Sequence, residues 1–343
     1  MIRNGLAVLA LTALAPLLMP AQASANDTQA NVAMGGLIFE KNDEISMDSE
    51  DLFLSLDQVR VKYRYTNHSA EPITLLVAFP LPEVPLHGAD WDWVEAAYPD
   101  WDDIGMKTMI GGVEAELTRL DIPRVNGEDV ERRIRQEGWP LRFWEDPGLN
   151  ARLAQLATSE KATLIAEGLL TDEGMGPGEV RPAWTVQTSF VRLQRFAPHE
   201  TVTVEHHYTP WQGGTVASGL DHPAREATLG EGNEYRQRYC VDDAFLRDYD
   251  AVRYREGGRL TYSELVLESW ISYLLSPGAN WHGVIEEFSL TIDTGTPDRI
   301  VSTCMPGLTK VGPATFTVTR KYYEPDRDLH LLFVEIVPME GPN

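Results

Sequence analysis

Apolar and polar residues alternate without a break from position 58 to position 66. The apolar positions fall on one face of an extended chain and the charged positions on the other: Val59, Val61, Tyr63 and Tyr65 against Arg60, Lys62 and Arg64. This period of two indicates a β-strand with one buried and one solvated face. Turn-forming residues follow at 67–72, and the apolar run at 73–79 predicts a second strand.

The same period returns in the second half of the chain. Strands are predicted at 184–196 and 201–208, and alternation resumes from 262 onward. Gly111 and Gly112 suit a tight turn, so we expect a hairpin from 104 to 120. Consecutive antiparallel strands with one solvated face are typical of a sandwich.

Residues 126–170 lack the strand period and are rich in Ala, Leu and charges at helical spacing. We therefore predict a mainly β fold, with antiparallel β-sandwiches and an inserted helical segment (α+β). The predicted parts are a leader at 1–25, an N-terminal β-sandwich part at 26–125, a helical insertion at 126–182 and a β-rich C-terminal part at 183–343. The stretch 210–238 shows no periodicity and reads as a long irregular connection.

The amino terminus has the pattern of a secretory signal peptide. Arg3 precedes an apolar run at 5–19, and the small residues at 21–25 allow cleavage after Ala25. The alternative is a membrane anchor, but the run is short for roughly 30 Å of hydrocarbon. We predict a periplasmic or secreted protein without stable membrane insertion after cleavage.

Charge and cysteine content narrow the possible partners. The chain has 52 acidic residues against 29 Lys and Arg, a net charge of −23, which disfavours nucleic acid and anionic membrane surfaces. Its two cysteines, Cys240 and Cys304, are predicted to form a disulfide in an oxidising compartment. Two separate buried thiols are the alternative.

The best candidate for catalysis lies in the strand at 201–208. Alternation directs His206 toward the core and places Glu205 and His207 together on the other face. A carboxylate beside an imidazole could act as a base or supply two metal ligands. The alternative is a solvated pair, because no third group is identifiable. We predict no metal and no cofactor, since the known catalytic and nucleotide-binding motifs are absent from the sequence.

Aromatic side chains offer a second type of candidate site. The stretch 88–103 interleaves acids with aromatic residues, and Gly-Ala-Asn-Trp-His-Gly occupies 278–283; the candidate binding residues are Trp91, Trp93, Trp101 and Trp281. Flat rings flanked by carboxylates could stack on a ligand such as a sugar. The alternative is that these rings pack against the sandwich.

Several segments resemble the exported bacterial proteins grouped as domain of unknown function 4424. They are Gly-Gly-Leu-Ile-Phe at 35–39, the stretches 45–52 and 59–67, Val-Ala-Phe-Pro-Leu-Pro at 77–82, His-Tyr-Thr-Pro at 207–210 and Gly-Ala-Asn-Trp at 278–281. The resemblance spans nearly the whole chain after the leader. It implies an exported, β-rich protein and carries no established activity. Residues 52–82 also look similar to the sandwich domain of inter-alpha-trypsin inhibitor heavy chains.

These observations favour a binding protein over an enzyme. Loops on a rigid sandwich commonly carry recognition, so the expected partner is a protein or a component of the cell envelope. The alternative is a cell-envelope hydrolase that uses Glu205 and His207 or the acids of 88–103. The sequence leaves open the ligand, the oligomeric state, the choice between periplasm and medium, and whether the β-rich parts form one domain or two.

Overall fold

A long sheet of eight strands forms one layer of the molecule. The computed structural model describes residues 27–33, 36–84, 98, 104–173, 175–216, 219–222, 224–230, 233–254 and 264–338. Numbered along the chain, the strands of the large sheet lie in the order β18 (Thr309–Lys310), β19 (Thr315–Tyr323), β16 (Ile285–Asp293), β3 (Ile45–Leu54), β4 (Val59–Asn67), β13 (Thr201–Tyr208), β6 (Lys107–Ile110) and β7 (Val113–Glu114).

Three smaller sheets complete the β structure of the described residues. The six-stranded sheet has the order β2 (Gly36–Glu40), β1 (Thr28–Ala33), β5 (Ile73–Pro80), β12 (Thr185–Phe196), β8 (Thr118–Val125) and β9 (Glu128–Asp129). The four-stranded sheet has the order β14 (Gly213–Thr215), β15 (Glu264–Tyr273), β20 (Leu329–Pro338) and β17 (Ile300–Thr303), and a short pair joins β10 (Leu170–Thr171) to β11 (Arg181–Pro182).

One apolar core joins the large sheet to both the six-stranded and the four-stranded sheet. It includes Leu290 from the large sheet, Phe79 from the six-stranded sheet and Phe333 from the four-stranded sheet, each at most 1% exposed. Strands β3 and β16 pair in parallel and connect early and late parts of the chain within the large sheet. The molecule is mainly β with few helices, as the alternating pattern predicted.

The described residues contain six α-helices, which lie in two groups. Their bounds are α1 (Glu131–Gln136), α2 (Leu149–Ala154), α3 (Thr158–Ala166), α4 (Arg225–Leu229), α5 (Glu234–Tyr239) and α6 (Asp243–Arg253), with 3-10 turns at Phe143–Glu145 and Ser276–Asn280. The first group packs on Val186 of β12 and on Trp184, the residue just before that strand. The second group packs against Leu332 and Val334 of β20.

Two local predictions need correction. The hairpin at Gly111 and Gly112 exists, with positive φ at both glycines, but its second strand is only Val113–Glu114. The chain then leaves the large sheet, and Thr118–Val125 pairs in the six-stranded sheet instead. The connection at 210–238 is not irregular throughout, because β14, α4 and α5 lie within it. These helices are short and have little periodicity to reveal them.

Cys240 and Cys304 are joined by a disulfide. Cys240 caps the end of α5 in a left-handed backbone conformation, and Cys304 follows β17. The bridge therefore ties the second helix group to the edge of the four-stranded sheet.

Candidate functional site

Strand β13 presents its two histidines to opposite environments. His206 is fully buried between the sheets, as the alternation predicted, whereas His207 is partly exposed on the outer face of the large sheet. Glu205 lies on that outer face with His207. Charged and titratable groups therefore lie both in the interior and on the outer face of the large sheet.

Inside the sandwich, three charged or titratable side chains form one cluster. The Arg192 guanidinium donates to both carboxylate oxygens of Asp27, over 3.0 and 2.6 Å. His206 Nε2 lies 3.1 Å from Asp27 Oδ1, and its Nδ1 lies 2.7 Å from the Thr108 hydroxyl. Trp281 Nε1 donates to the backbone oxygen of Asp27 over 2.7 Å. The cluster is enclosed by protein, and Arg192 pairs with the Asp27 carboxylate within it, whereas His206 Nε2 lies close to Asp27 without the geometry of a hydrogen bond.

Burial and pairing set the protonation states of this cluster. Burial alone would raise the pKa of Asp27, but Arg192 and then His206 outweigh it and hold that pKa well below its usual range. Burial lowers the pKa of His206 despite the attraction of Asp27. With the imidazole neutral and its proton on Nε2, which faces Asp27, the Thr108 hydroxyl donates to Nδ1. We therefore interpret this cluster as structural: it holds the start of the amino-terminal strand in the interior and is not a ligand site.

On the outer face, one line of residues across the strands is internally paired. Glu205, Lys62, Asp51 and Ser289 lie directly opposite one another on β13, β4, β3 and β16, and we name them the paired row. Lys62 Nζ lies 2.8 Å from Glu205 Oε1, and the Ser289 hydroxyl donates to Asp51 over 2.6 Å. The hydrogen bond and charge of Glu205 raise the pKa of Lys62.

The neighbouring line has no such internal pairing. His207 lies directly opposite Arg60 on one side and Lys107 on the other, and we name these three residues the basic row. Arg60 and Lys107 are exposed, and within the described part of the chain neither forms an ion pair. The Arg60 guanidinium lies 4.3 Å above the ring of Phe53, which holds it in place without neutralising it.

A shallow depression of about 400 Å³ lies between the two rows. Phe53, Arg60, His207 and Thr291 line it from the basic side, and Asp51, whose carboxylate accepts from Ser289, and the Lys62–Glu205 pair line it from the other. Charge-assisted donors in a fixed position recognise carboxylates and phosphates. The arrangement can therefore hold an anion.

The structure separates the aromatic candidates. Trp281 is 1% exposed and packs on Tyr65 with ring centroids 4.7 Å apart, so its side chain belongs to the core. This placement favours packing over ligand stacking for Trp281. The other three candidates, Trp91, Trp93 and Trp101, lie outside the described residues.

A third polar group lies at the far end of the outer face. Its hydroxyl, imidazole and carboxylate do not follow the order found in nucleophilic catalysis. Ser46 Oγ donates to Asp48 over 2.5 Å, and His68 Nε2 lies 2.8 Å from the same hydroxyl. In a hydrolytic triad the imidazole stands between the hydroxyl and the carboxylate. Here the hydroxyl stands between the other two, so its proton is directed to Asp48 and His68 cannot act as its base.

No group of three or more His, Cys, Asp or Glu side chains within the described residues is arranged to hold a metal ion. No helix among the same residues is long and apolar enough to cross a membrane.

The sequence identified Glu205 and His207 but missed their basic neighbours. Arg60 was placed on the solvated face, and Lys107 and Phe53 received no role. The available signal was three cations, Arg60, Lys62 and Arg64, on one face of a single strand in an acidic chain. Which of them would be neutralised depended on pairing between distant strands.

Comparison with solved structures gives remote likenesses. A candidate nutrient-binding protein from Legionella pneumophila aligns with 91% of this chain and 70% of its own, at 12% identity and a TM-score of 0.43. An M1 zinc metallopeptidase from Deinococcus radiodurans aligns at 11% identity and a TM-score of 0.29, over 85% of this chain. The chain spans 43% of that peptidase. Likenesses this remote assign no function.

Comparisons of sequence are more specific. The family model described as "Domain of unknown function (DUF4424)" matches residues 25–332. Curated proteins give no match.

Proposed function

The chain belongs to the family described as Domain of unknown function (DUF4424), and we propose that it is an extracytoplasmic protein that binds an anionic component of the cell envelope. The observation that carries the proposal is the basic row. Two exposed cations that form no ion pair within the described residues flank His207 in a chain whose net charge is −23. The net charge disfavours anionic surfaces at long range, but salt screens it beyond about 10 Å, so local cations can still attract an anion at contact distance.

Export is supported by two independent features. The first is the leader pattern at 1–25 with small residues before Asn26. The second is the disulfide between Cys240 and Cys304, since such bonds persist mainly in oxidising compartments. Both fit the periplasm or the medium.

The chemistry of the basic row suits carboxylate or phosphate groups. Arg60 is held over Phe53, so its planar fork loses little freedom when it binds an anion. Lys107 supplies a mobile point charge from the adjacent side of His207, and the imidazole adds a hydrogen bond between them. Phosphate and carboxylate therefore share one recognition chemistry here, and the choice between them is left to experiment.

Hydrolysis by Glu205 and His207 is less well supported. The Glu205 carboxylate is engaged by Lys62 at 2.8 Å on an open surface. A general base works best when its pKa is tuned toward neutrality, usually by burial. Neither Glu205 nor His207 is buried.

Calorimetric titration of the mature protein with polygalacturonate, polyphosphate and neutral dextran tests the proposal. We expect at least one anionic polymer to bind and dextran not to bind. Replacing both cations of the row, Arg60→Gln with Lys107→Gln, should weaken binding by about tenfold or more, since two charge-assisted contacts are lost.

The matched control replaces two exposed cations away from the large sheet, Lys41→Gln with Arg195→Gln. This pair makes the same change in net charge and should leave affinity within about twofold. Equal weakening by both pairs would show that only overall charge matters and would contradict the proposed site. Failure of both anionic polymers to bind would contradict the proposed function.

A further inference from the structure

The basic row continues as a straight line across nearly the whole large sheet. Each residue of the line lies directly opposite the next one on the neighbouring strand, and the complete series is Lys107, His207, Arg60, Phe53, Thr291, Thr317 and Thr309. We name it the cross-strand line. All of its members are partly or fully exposed. It therefore presents one continuous strip of side chains to the solvent.

The length of this strip is set by the spacing of strands. Neighbouring strands lie about 4.8 Å apart, so the six intervals span roughly 29 Å. A single small anion would contact only the basic end. A ligand that uses the whole line must be extended and must run perpendicular to the strands.

The two ends of the line have different chemistry. One end holds the cations Lys107 and Arg60, and the other holds the hydroxyls of Thr291, Thr317 and Thr309. Within the described residues, neither Thr291 nor Thr317 uses its hydroxyl in a hydrogen bond. A free hydroxyl both donates and accepts, which matches the hydroxyl groups of sugars.

The paired row provides an internal contrast on the same face. It also runs across the strands, but Ser289 donates to Asp51 and Lys62 pairs with Glu205. Its polar groups are therefore already occupied. Only the cross-strand line combines unpaired cations with free hydroxyls, so the two rows differ in what they can offer a ligand.

Resting on the proposed function, we propose that the anionic ligand is an acidic polysaccharide that lies along the cross-strand line. The strand spacing is close to the length that one pyranose ring adds to an extended 1,4-linked glycan. Its acidic groups contact Arg60 and Lys107, and its hydroxyls contact the threonines. An acidic peptide fits less well, because peptides usually bind sheets by hydrogen bonding along an edge strand rather than across a face.

The test compares galacturonate oligomers of two lengths by calorimetry. The octamer should bind at least tenfold more tightly than the dimer, because only the octamer reaches Thr317 and Thr309 beyond the depression. Thr317→Val with Thr309→Val keeps β-branched side chains but removes these two hydroxyls. This pair should abolish the octamer's advantage and leave dimer affinity unchanged.

Thr203→Val with Thr319→Val is the control, since these threonines lie on the same outer face but off the line. This pair should change neither affinity. Equal binding of dimer and octamer, still dependent on Arg60 and Lys107, would contradict binding along the cross-strand line. It would still support an anion site at the basic row.

Two further results would also be decisive. Tighter binding of an octamer of glutamate than of the galacturonate octamer would overturn the assignment in favour of an acidic peptide. Failure of galacturonate and glutamate octamers alike to bind, while polyphosphate binds, would overturn this inference and leave the proposed function intact; failure of all three would overturn both.

Discussion

His206 and His207 are neighbours in the chain, yet the charges around them are organised in opposite ways. Around His206, Asp27 and Arg192 neutralise each other at distances of 2.6 and 3.0 Å, fully enclosed. Around His207, the cations Arg60 and Lys107 are exposed and have no acidic partner among the described residues. Buried charges must be paired for the chain to fold, whereas exposed charges are free to serve another purpose.

The difference shows where to look for function in this fold. The interior cluster has the more unusual pKa values, and such values often mark active sites. Here they have a structural cause, because burial and the Asp27–Arg192 pair account for them. On the outer face, the donors of Arg60, Lys107 and His207 are accessible to a ligand.

The largest expected effect comes from removing one partner of the interior pair. Asp27→Ala leaves the Arg192 charge buried without compensation, which should lower the free energy of unfolding by about 3–5 kcal/mol. Denaturant titration measures the loss. The added change Arg192→Met should restore part of the stability, because the unpaired charge is gone. If Asp27→Ala lowered the free energy of unfolding by less than about 1 kcal/mol, the contacts of Asp27 would not stabilise the core as described.

The free energy of unfolding should depend on pH through the interior histidine, His206. Burial places the pKa of His206 below its unfolded-state value of about 6.5. The unfolded chain therefore binds more protons as the pH falls, and the stability that neutral His206 provides is present above that pH and lost below it. Between pH 8 and 5, the unfolding free energy of the wild type should fall more steeply than that of His206→Gln.

Other buried histidines act equally in both proteins and cancel in this comparison. Burial lowers the pKa of His330 to about 4, for example, and the His206→Gln change leaves that residue in place. Parallel pH curves for the two proteins would mean that His206 is not the titrating group.

His207→Ala should separate binding from folding. The side chain lies on the solvated face, so the free energy of unfolding should change by less than about 0.5 kcal/mol. Affinity for an anionic polymer should fall by a few fold, because one neutral hydrogen bond contributes about 1 kcal/mol. Unfolding of this variant would show that the outer face carries part of the fold's stability.

The smallest effect is expected for Glu205→Gln. The Lys62–Glu205 pair is well exposed, at 59% and 35%, and such pairs contribute about 0–1 kcal/mol. Stability should therefore stay nearly constant, while the released Lys62 should raise affinity for an anionic polymer. A drop in affinity, or a wild-type hydrolytic activity that Glu205→Gln removes, would restore the hydrolase as the better interpretation.

The sequence predicted local features well where the period was regular. Alternation in β4 and β13 gave the correct faces for Tyr63, Arg60, His206 and His207. It could not predict that Asp27 meets Arg192, because 165 positions separate them. Pairing over such distances depends on the whole fold rather than on local propensity.

The candidate site was predictable only in part for the same reason. Glu205 and His207 stood out as a pair, but the structure assigns Glu205 to Lys62 and leaves His207 between Arg60 and Lys107. That distinction rests on the register of three strands from separate parts of the chain. A shift of one residue would move every side chain to the opposite face.

Chemical-shift mapping of the backbone amides, with a galacturonate octamer added to the mature protein, tests the central claim most directly. The account predicts that the perturbed amides cluster on β6, β13, β4 and β3 around Lys107, His207, Arg60 and Phe53, while those near Asp27 and Arg192 stay unchanged. Perturbations centred elsewhere, or spread evenly over the surface, would contradict it.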